Sequence, residues 1–218
     1  MNRVHAGGEA ETEAAGFVLA GGQSSRMGRD KALLSWAGYP LIANALSILR
    51  GAGLPASVAG ARSNLQEFAP VIADAGSSHG PLSGICAALG STSARHAVVL
   101  PVDLPLLPAS LLCFLLHHAQ ITGRAVTLPT INGFPQTFPA VLDRSALPIL
   151  QAELAAGHLG CFAAFQTAAS SLHQPVSRVA VELLVQAGQV HHPSALPAVR
   201  WFLNVNTPED LERATHIA

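Results

Sequence analysis

Charge is scarce in this chain. Only 11% of its 218 residues are Asp, Glu, Lys or Arg, and the formal net charge is −1. No global basic field exists to hold DNA or RNA, so a nucleic-acid partner is not expected. A run of about 18 consecutive apolar residues is also missing, as is an apolar signal core near the start. Neither a membrane span nor an export signal is read, and a cytoplasmic location is expected. Cysteine is rare. Cys86, Cys113 and Cys161 are odd in number and far apart, which argues against a disulfide frame or a zinc site and predicts reduced core thiols. The ten histidines include the pairs His117-His118 and His191-His192. Sequence neighbours point to different faces of a helix or strand, so neither pair makes a good chelate, and structural or surface roles are expected.

Two common nucleotide motifs are missing as well. Gly16 to Leu34 (GFVLAGGQSSRMGRDKALL) places paired glycines after a short apolar run. A Walker A loop would need Gly-Lys-Ser/Thr, but Gly28 is followed by Arg29 and Asp30. The dinucleotide fingerprint fails too: G-x-G-x-x-G spacing is absent, and no Asp or Glu occurs from Leu33 to Ala61, where the ribose-binding acid would fall. What is present is an anion site of another kind. Gly21 and Gly22 let backbone amides approach a ligand. Ser24 and Ser25 add hydroxyl donors, and Arg26, Arg29 and Lys31 put three cations within six residues. This combination suits a polyphosphate.

Half the residues are hydrophobic, enough for a large core, and the length suits one α/β domain. Residues 1–15 are small and polar and read as a flexible leader, with a single domain over 16–218. Strands are expected at Phe17–Ala20, Ala56–Gly60, Pro70–Asp74, Ala97–Val102, Ala125–Leu128, Phe138–Leu142 and Trp201–Val205. Helices are expected at Pro40–Leu49, from Gly80 to about Leu89, and at Ser110–His118 and Leu147–Leu154. Val176–Val185 suits either state. A last helix starts at Thr207-Pro208-Glu209-Asp210, where Thr207 is a good N-cap and the acids suit the dipole. This alternation of strand and helix predicts a mostly parallel sheet flanked by helices.

In such a sheet, ligands sit beyond the carboxyl ends of the strands. The glycine loop, Asp74 and Asp103 all fall there. A triphosphate usually brings Mg²⁺, which takes one or two protein carboxylates and phosphate oxygens. Asp103, at the end of a continuous apolar strand, is the first choice of metal ligand. Positive charge, backbone amides and a metal carboxylate suffice for phosphoryl-type transfer, where catalysis is mostly positioning and charge neutralisation.

Leu19 to Lys31 also spells L-A-G-G-x-S-x-R-M-G-x-D-K. Together with Gly80-Pro81-Leu82-Ser83-Gly84, Pro101-Val102-Asp103-Leu104-Pro105 and Asn204-Val205-Asn206-Thr207-Pro208-Glu209-Asp210-Leu211, it resembles the molybdenum cofactor guanylyltransferase family of MobA-like nucleotidyltransferases. The resemblance implies a Rossmann-like three-layer sandwich and a Mg²⁺-dependent transfer of GMP from GTP to molybdenum-bound molybdopterin, with release of pyrophosphate. It implies nucleotide contacts from Leu19, Ala20, Gly21, Gly22, Lys31, Asp74 and Asp103. Arg26 and Lys31 become the catalytic cations and Asp103 the metal ligand, while Asn204 and Asn206 lie on the acceptor side or next to the metal. The family's N-A-N-R is here Ala59-Gly60-Ala61-Arg62, so a guanosine contact is lost or comes from elsewhere. The stretch from Arg124 to Leu142 is expected to meet the pterin. Alternatives are a cytidylyltransferase on the same cofactor, another transferase of the superfamily, and a non-catalytic nucleotide-binding cofactor chaperone. A molybdoenzyme or chaperone that receives the product is an expected partner.

Overall fold

Apolar side chains alternate along the first strand, β1 (Ala14–Leu19), and the two sets enter different cores. The computed structural model describes residues 13–20, 30–60, 63–73 and 80–217. After β1 come a 3₁₀ turn at Lys31–Leu33, β2 (Ser35–Trp36), β3 (Tyr39–Pro40), α1 (Leu41–Gly51), β4 (Ala56–Ala59), β5 (Val71–Ile72), α2 (Pro81–Ser91), β6 (His96–Pro101) and α3 (Ala109–Thr122). The second half holds β7 (Val126–Ile131), β8 (Phe134–Pro135), β9 (Ala140–Asp143), α4 (Leu147–Ala155), α5 (Cys161–Ser171), β10 (Ser177–Ala180), α6 (Val181–Gln186), α7 (Ala198–Trp201) and α8 (Pro208–Ile217).

The main sheet runs β10-β7-β9-β6-β1-β4-β5, with β8 paired to the end of β7, while β2 and β3 form a separate hairpin. β9 is antiparallel to both neighbours and β8 to β7; the other pairings in the main sheet are parallel. Ala14 and Val18 join a core with Leu41, Leu46 and Leu49 of α1 and Leu111 and Leu115 of α3. Ala15, Phe17 and Leu19 join a second core with Leu82 and Ile85 of α2, Leu150 of α4 and Phe165 of α5. Helices on both faces of one sheet make the expected three-layer α/β sandwich. Gly16 permits the close approach of α1: a Cβ there would lie 3.0 Å from Leu49 Cδ2. The helix stop signals are local. Pro81 opens α2 at a position whose N–H would be unpaired in any case. Gly123, with φ 61°, closes α3 in the left-handed conformation.

Several expectations change. β1 begins at Ala14, so Ala14 and Ala15 belong to the sheet and not to a leader. Trp201–Val205 is not a strand: Trp201 ends α7, and Trp201 Nε1 donates to the Leu196 carbonyl at 2.8 Å. Buried aromatic anchoring overrides the strand preference of the segment, and Val205 N ties it to the chain beyond β6 by donating to the Asp103 carbonyl at 2.9 Å. Val176–Val185 is both states in turn, β10 and then α6. Cys86 and Cys161 are buried, and burial pushes each thiol up to about 11. Cys113 is exposed, because α3 turns Leu111, Leu112, Leu115 and Ala119 inward and leaves it on the outer face.

Candidate active site

The sheet order creates a crevice. From β1 the chain moves through β4 to β5 on one side, then returns to place β6 on the other side of β1. The strand order thus switches sides at β1, and the space beyond the carboxyl ends of β1 and β6 is where ligands sit in such sheets. A cavity of about 520 Å³ lies there. Leu19 and Ala20 from the end of β1, Asp30, Lys31 and Ala32, and Pro81 at the start of α2 line it. Pro101 to Leu104 form its floor beside β6, Pro135 to Phe138 one wall, and Phe202, Asn204 and Asn206 complete it.

Lys31 is the only lysine in the chain. Its ammonium donates to Asp103 Oδ2 at 2.8 Å and to Asn206 Oδ1 at 2.7 Å. Three motifs separated by 72 and 103 residues thus meet at one nitrogen. The Lys31 and Asp103 side chains are only 16% and 24% exposed, so this pair lies within the cavity wall and is shielded more than an ordinary surface ion pair.

Each member is held by its neighbours. Asp30 caps the 3₁₀ turn through Ala32 N at 3.1 Å and accepts from Asn64 Nδ2 at 2.9 Å, which fixes the start of the Lys31 turn. Val102 N donates to the Leu19 carbonyl at 3.2 Å, tying the exits of β6 and β1 together. Asn44 Nδ2 donates to the Pro105 carbonyl at 3.0 Å beyond Asp103. At the start of α8, Asp210 Oδ2 accepts from Asn206 N at 3.1 Å and Thr207 N at 3.0 Å, while Thr207 Oγ1 accepts from Asp210 N at 3.1 Å. This is a reciprocal capping box with aspartate in the acid position. The Asn206 N–H, then the Thr207 hydroxyl, holds the Asp210 carboxyl below its ordinary range.

Leu19, Ala20, Lys31, Asp103, Asn204 and Asn206 therefore line one cavity. Gly21, Gly22, Ser24, Ser25, Arg26, Arg29, Asp74, Ala61 and Arg62 lie outside the described residues. The wall at Pro135–Phe138 lies within the stretch from Arg124 to Leu142 that is expected to meet the pterin, and the sequence also carries a signal for the turn that brings it there. Asn132 and Gly133, with φ 52° and 79°, form the Asn-Gly turn typical of a two-residue hairpin, and that hairpin leads the chain back to the crevice. Asn64 carries no such signal, because its bond to Asp30 joins segments 34 residues apart, whereas the Asp210 contacts are local and follow the Thr-x-x-Asp spacing of a capping box.

Chemically, the site offers a cation, a carboxylate and amide groups, and no nucleophile is required of the protein. Among the described residues, no group of three or more His, Cys, Asp or Glu side chains could hold a metal by itself. A single well-placed carboxylate instead suits a hard cation that takes its other ligands from substrate phosphates and water. Asp103 fits that role.

Residues 16–175 match a family described as the MobA-like NTP transferase domain. The chain is 35% identical over 208 residues to a molybdenum cofactor guanylyltransferase of Xanthomonas euvesicatoria pv. vesicatoria, covering 92% of this chain and 94% of that one. It is 38% identical over 152 residues to the protein of the same name from Pseudomonas putida, covering 65% of this chain and 76% of that one. Its fold is similar to that of molybdopterin-guanine dinucleotide biosynthesis protein A from Archaeoglobus fulgidus, with TM-score 0.74 and 24% identity, over 93% of this chain and 97% of the other.

Proposed function

Because the chain belongs to the family of the MobA-like NTP transferase domain, we propose that it is a nucleotidyltransferase that moves GMP from GTP to molybdenum-bound molybdopterin. The observation that carries this reading is the convergence of Lys31, Asp103 and Asn206 in the cavity beyond β1 and β6. Relatives named as guanylyltransferases supply the nucleotide and the acceptor. The terminal phosphate of the acceptor is already ionised at neutral pH. One of its oxygens bonds to the α-phosphorus of GTP while the bond to pyrophosphate breaks, in line. The protein then has to orient two anions and stabilise the charge between them.

Leu19 and Ala20 carry the nucleotide side of the cleft, and Gly21 and Gly22 would add backbone contacts to the nucleotide. Lys31 has a third N–H donor beyond the two bonded to Asp103 and Asn206 and meets the phosphates with it, assisted by Arg26, and Asp74 would add to the nucleotide pocket. Asp103 would hold Mg²⁺, which when bound neutralises charge on the triphosphate. Asn204 and Asn206 face the acceptor from one side, and Pro135 to Phe138 form the opposite wall toward the pterin. The reaction runs in the cytoplasm, and the product passes to a molybdoenzyme or chaperone. No described helix is long and apolar enough to cross a membrane.

The deciding experiment supplies the protein with Mg²⁺, molybdenum-bound molybdopterin and each triphosphate in turn, and reads pyrophosphate release and product mass. The guanine dinucleotide from GTP is expected. Turnover with CTP alone would replace guanylyl with cytidylyl transfer. Nucleotide binding with no turnover would make the chain a carrier.

A further inference from the structure

We propose that Asp210, on the exposed first turn of α8, is a positioning residue for Lys31, acting through Asn206. The inference rests on the transferase reading of Lys31, and it assigns a task to an acid that lines no part of the cavity. The contacts form a continuous chain. Asp210 Oδ2 receives the backbone N–H groups of both Asn206 and Thr207. Those two bonds fix the backbone from which the Asn206 side chain departs. Asn206 Oδ1 then receives Lys31 Nζ at 2.7 Å, the shorter of the two lysine contacts. On its other side the segment is pinned by Val205 N to the Asp103 carbonyl at 2.9 Å. Asn206 is thus gripped from both sides, and Asp103 and Asn206 together set where the ammonium rests.

A cap stabilises its own helix wherever it occurs, so the cap alone proves nothing. Two features separate this one. First, the carboxylate accepts from the residue before the cap, Asn206, as well as from Thr207. Second, the residue so held is the one that meets the lysine. A flexible four-carbon side chain such as lysine gains directionality only from fixed partners. Loss of about 1 Å of precision at a phosphate-contacting group is enough to lower a rate by a large factor.

The test is a double-mutant cycle between Asp210→Ala and Lys31→Ala, read in guanylyl transfer with kcat and the KM for GTP separated. Asp210→Ala is expected to lower kcat roughly 5- to 30-fold with a smaller change in KM. In the Lys31→Ala background it is expected to cost nothing further. Asp210→Asn keeps a side-chain acceptor and is expected to recover activity to within about threefold of wild type. Ala214→Gly is the control for helix loss. It weakens α8 without touching the cap, and is expected to lower Tm by roughly 2–5 °C while leaving kcat unchanged.

Because Lys31 is the only lysine, a second readout needs no turnover. Amine acylation followed by mass spectrometry reports the labelling of Lys31 relative to the N-terminus. That ratio is expected to rise severalfold in Asp210→Ala and to stay at the wild-type value in Ala214→Gly. Full additivity in the cycle, or a labelling ratio unmoved by Asp210→Ala, overturns the positioning role. Full transfer activity in Lys31→Ala itself would instead overturn the role given to the lysine. If no triphosphate turns over, the labelling ratio alone decides.

Discussion

At each end of β6 a carboxylate pairs with a cation at almost the same distance. At the carboxyl end Lys31 meets Asp103 at 2.8 Å, and at the amino end Arg95 meets Asp143 at 2.9 Å. Their surroundings differ. Asp143 is consumed by local structure: its other oxygen caps the turn at Arg144–Ala146 through Ser145 N at 2.9 Å. Burial works to raise its pKa, but the Ser145 N–H and Arg95 outweigh that and hold it below the ordinary carboxylate value. Its cation is 64% exposed, whereas Lys31 is only 16% exposed. Asp103 shares its cation with an amide from the far end of the sequence and faces a cavity. The same kind of ion pair closes a turn at one end and faces a cavity at the other. Geometry of the pair alone does not distinguish the two; what the remaining lone pairs and donors do is what separates them.

Substitutions at each end test that contrast. Lys31→Ala is expected to lower kcat for transfer on the order of 10²–10³-fold while the protein unfolds at nearly the wild-type temperature. An equal loss of stability would make the two pairs alike. Asp103→Asn keeps the shape and removes the charge. It is expected to abolish metal-dependent turnover throughout a Mg²⁺ titration, and near-normal activity would take Asp103 out of the site. Asp143→Ala should show the opposite pattern, a loss of about 1–3 kcal/mol in urea unfolding with kcat unchanged, because it removes a cap and a buried acceptor.

The smallest effect is in pH. His96 is 2% exposed, neither ring nitrogen has a partner, and its Nε2 lies 3.9 Å from Asp143 Oδ2. Burial lowers its pKa, outweighing the attraction of Asp143, and burial also lowers that of His192. The folded state therefore takes up protons later than the unfolded state. Stability should be full above the ordinary histidine value of about 6.5, fall as pH drops below it, and level off beneath the folded value. A second fall follows as pH drops through the lowered Asp143 pKa. Urea midpoints measured from pH 8 to pH 3 should show both stages. His96→Phe should flatten the first without removing the His192 share, and an unchanged first stage would exclude His96 as its source.

Much of this was legible in the chain. Lys31 and Asp103 stand out because one follows a glycine turn and the other ends a six-residue apolar strand, and both are local patterns. Their contact with each other, and the Asn206 carbonyl between them and α8, join segments more than 70 residues apart, which periodicity does not relate. Trp201–Val205 reads as a strand because aromatic and β-branched residues suit strands, while the Trp201 indole is fixed by a bond to the Leu196 carbonyl, ahead of α7. Asp143 drew no notice in the sequence because nothing near it differs from an ordinary strand end. His96 shows that a buried histidine can be a packing residue without a partner.

The reversed strand β9 has a consequence for how the cleft can change. Parallel strands bring only their exits to a ligand-binding edge. β9 runs against β6 and β7, so it brings its entrance there, preceded by the hairpin that supplies Pro135 to Phe138. One side of the cleft is thus a connector between strands, free to lengthen or shorten, while the other is assembled from the Lys31 turn, the exit of β6 and the cap of α8. Residues 132–139 can therefore be rewritten with the Lys31 turn, the exit of β6 and the cap of α8 left as they are.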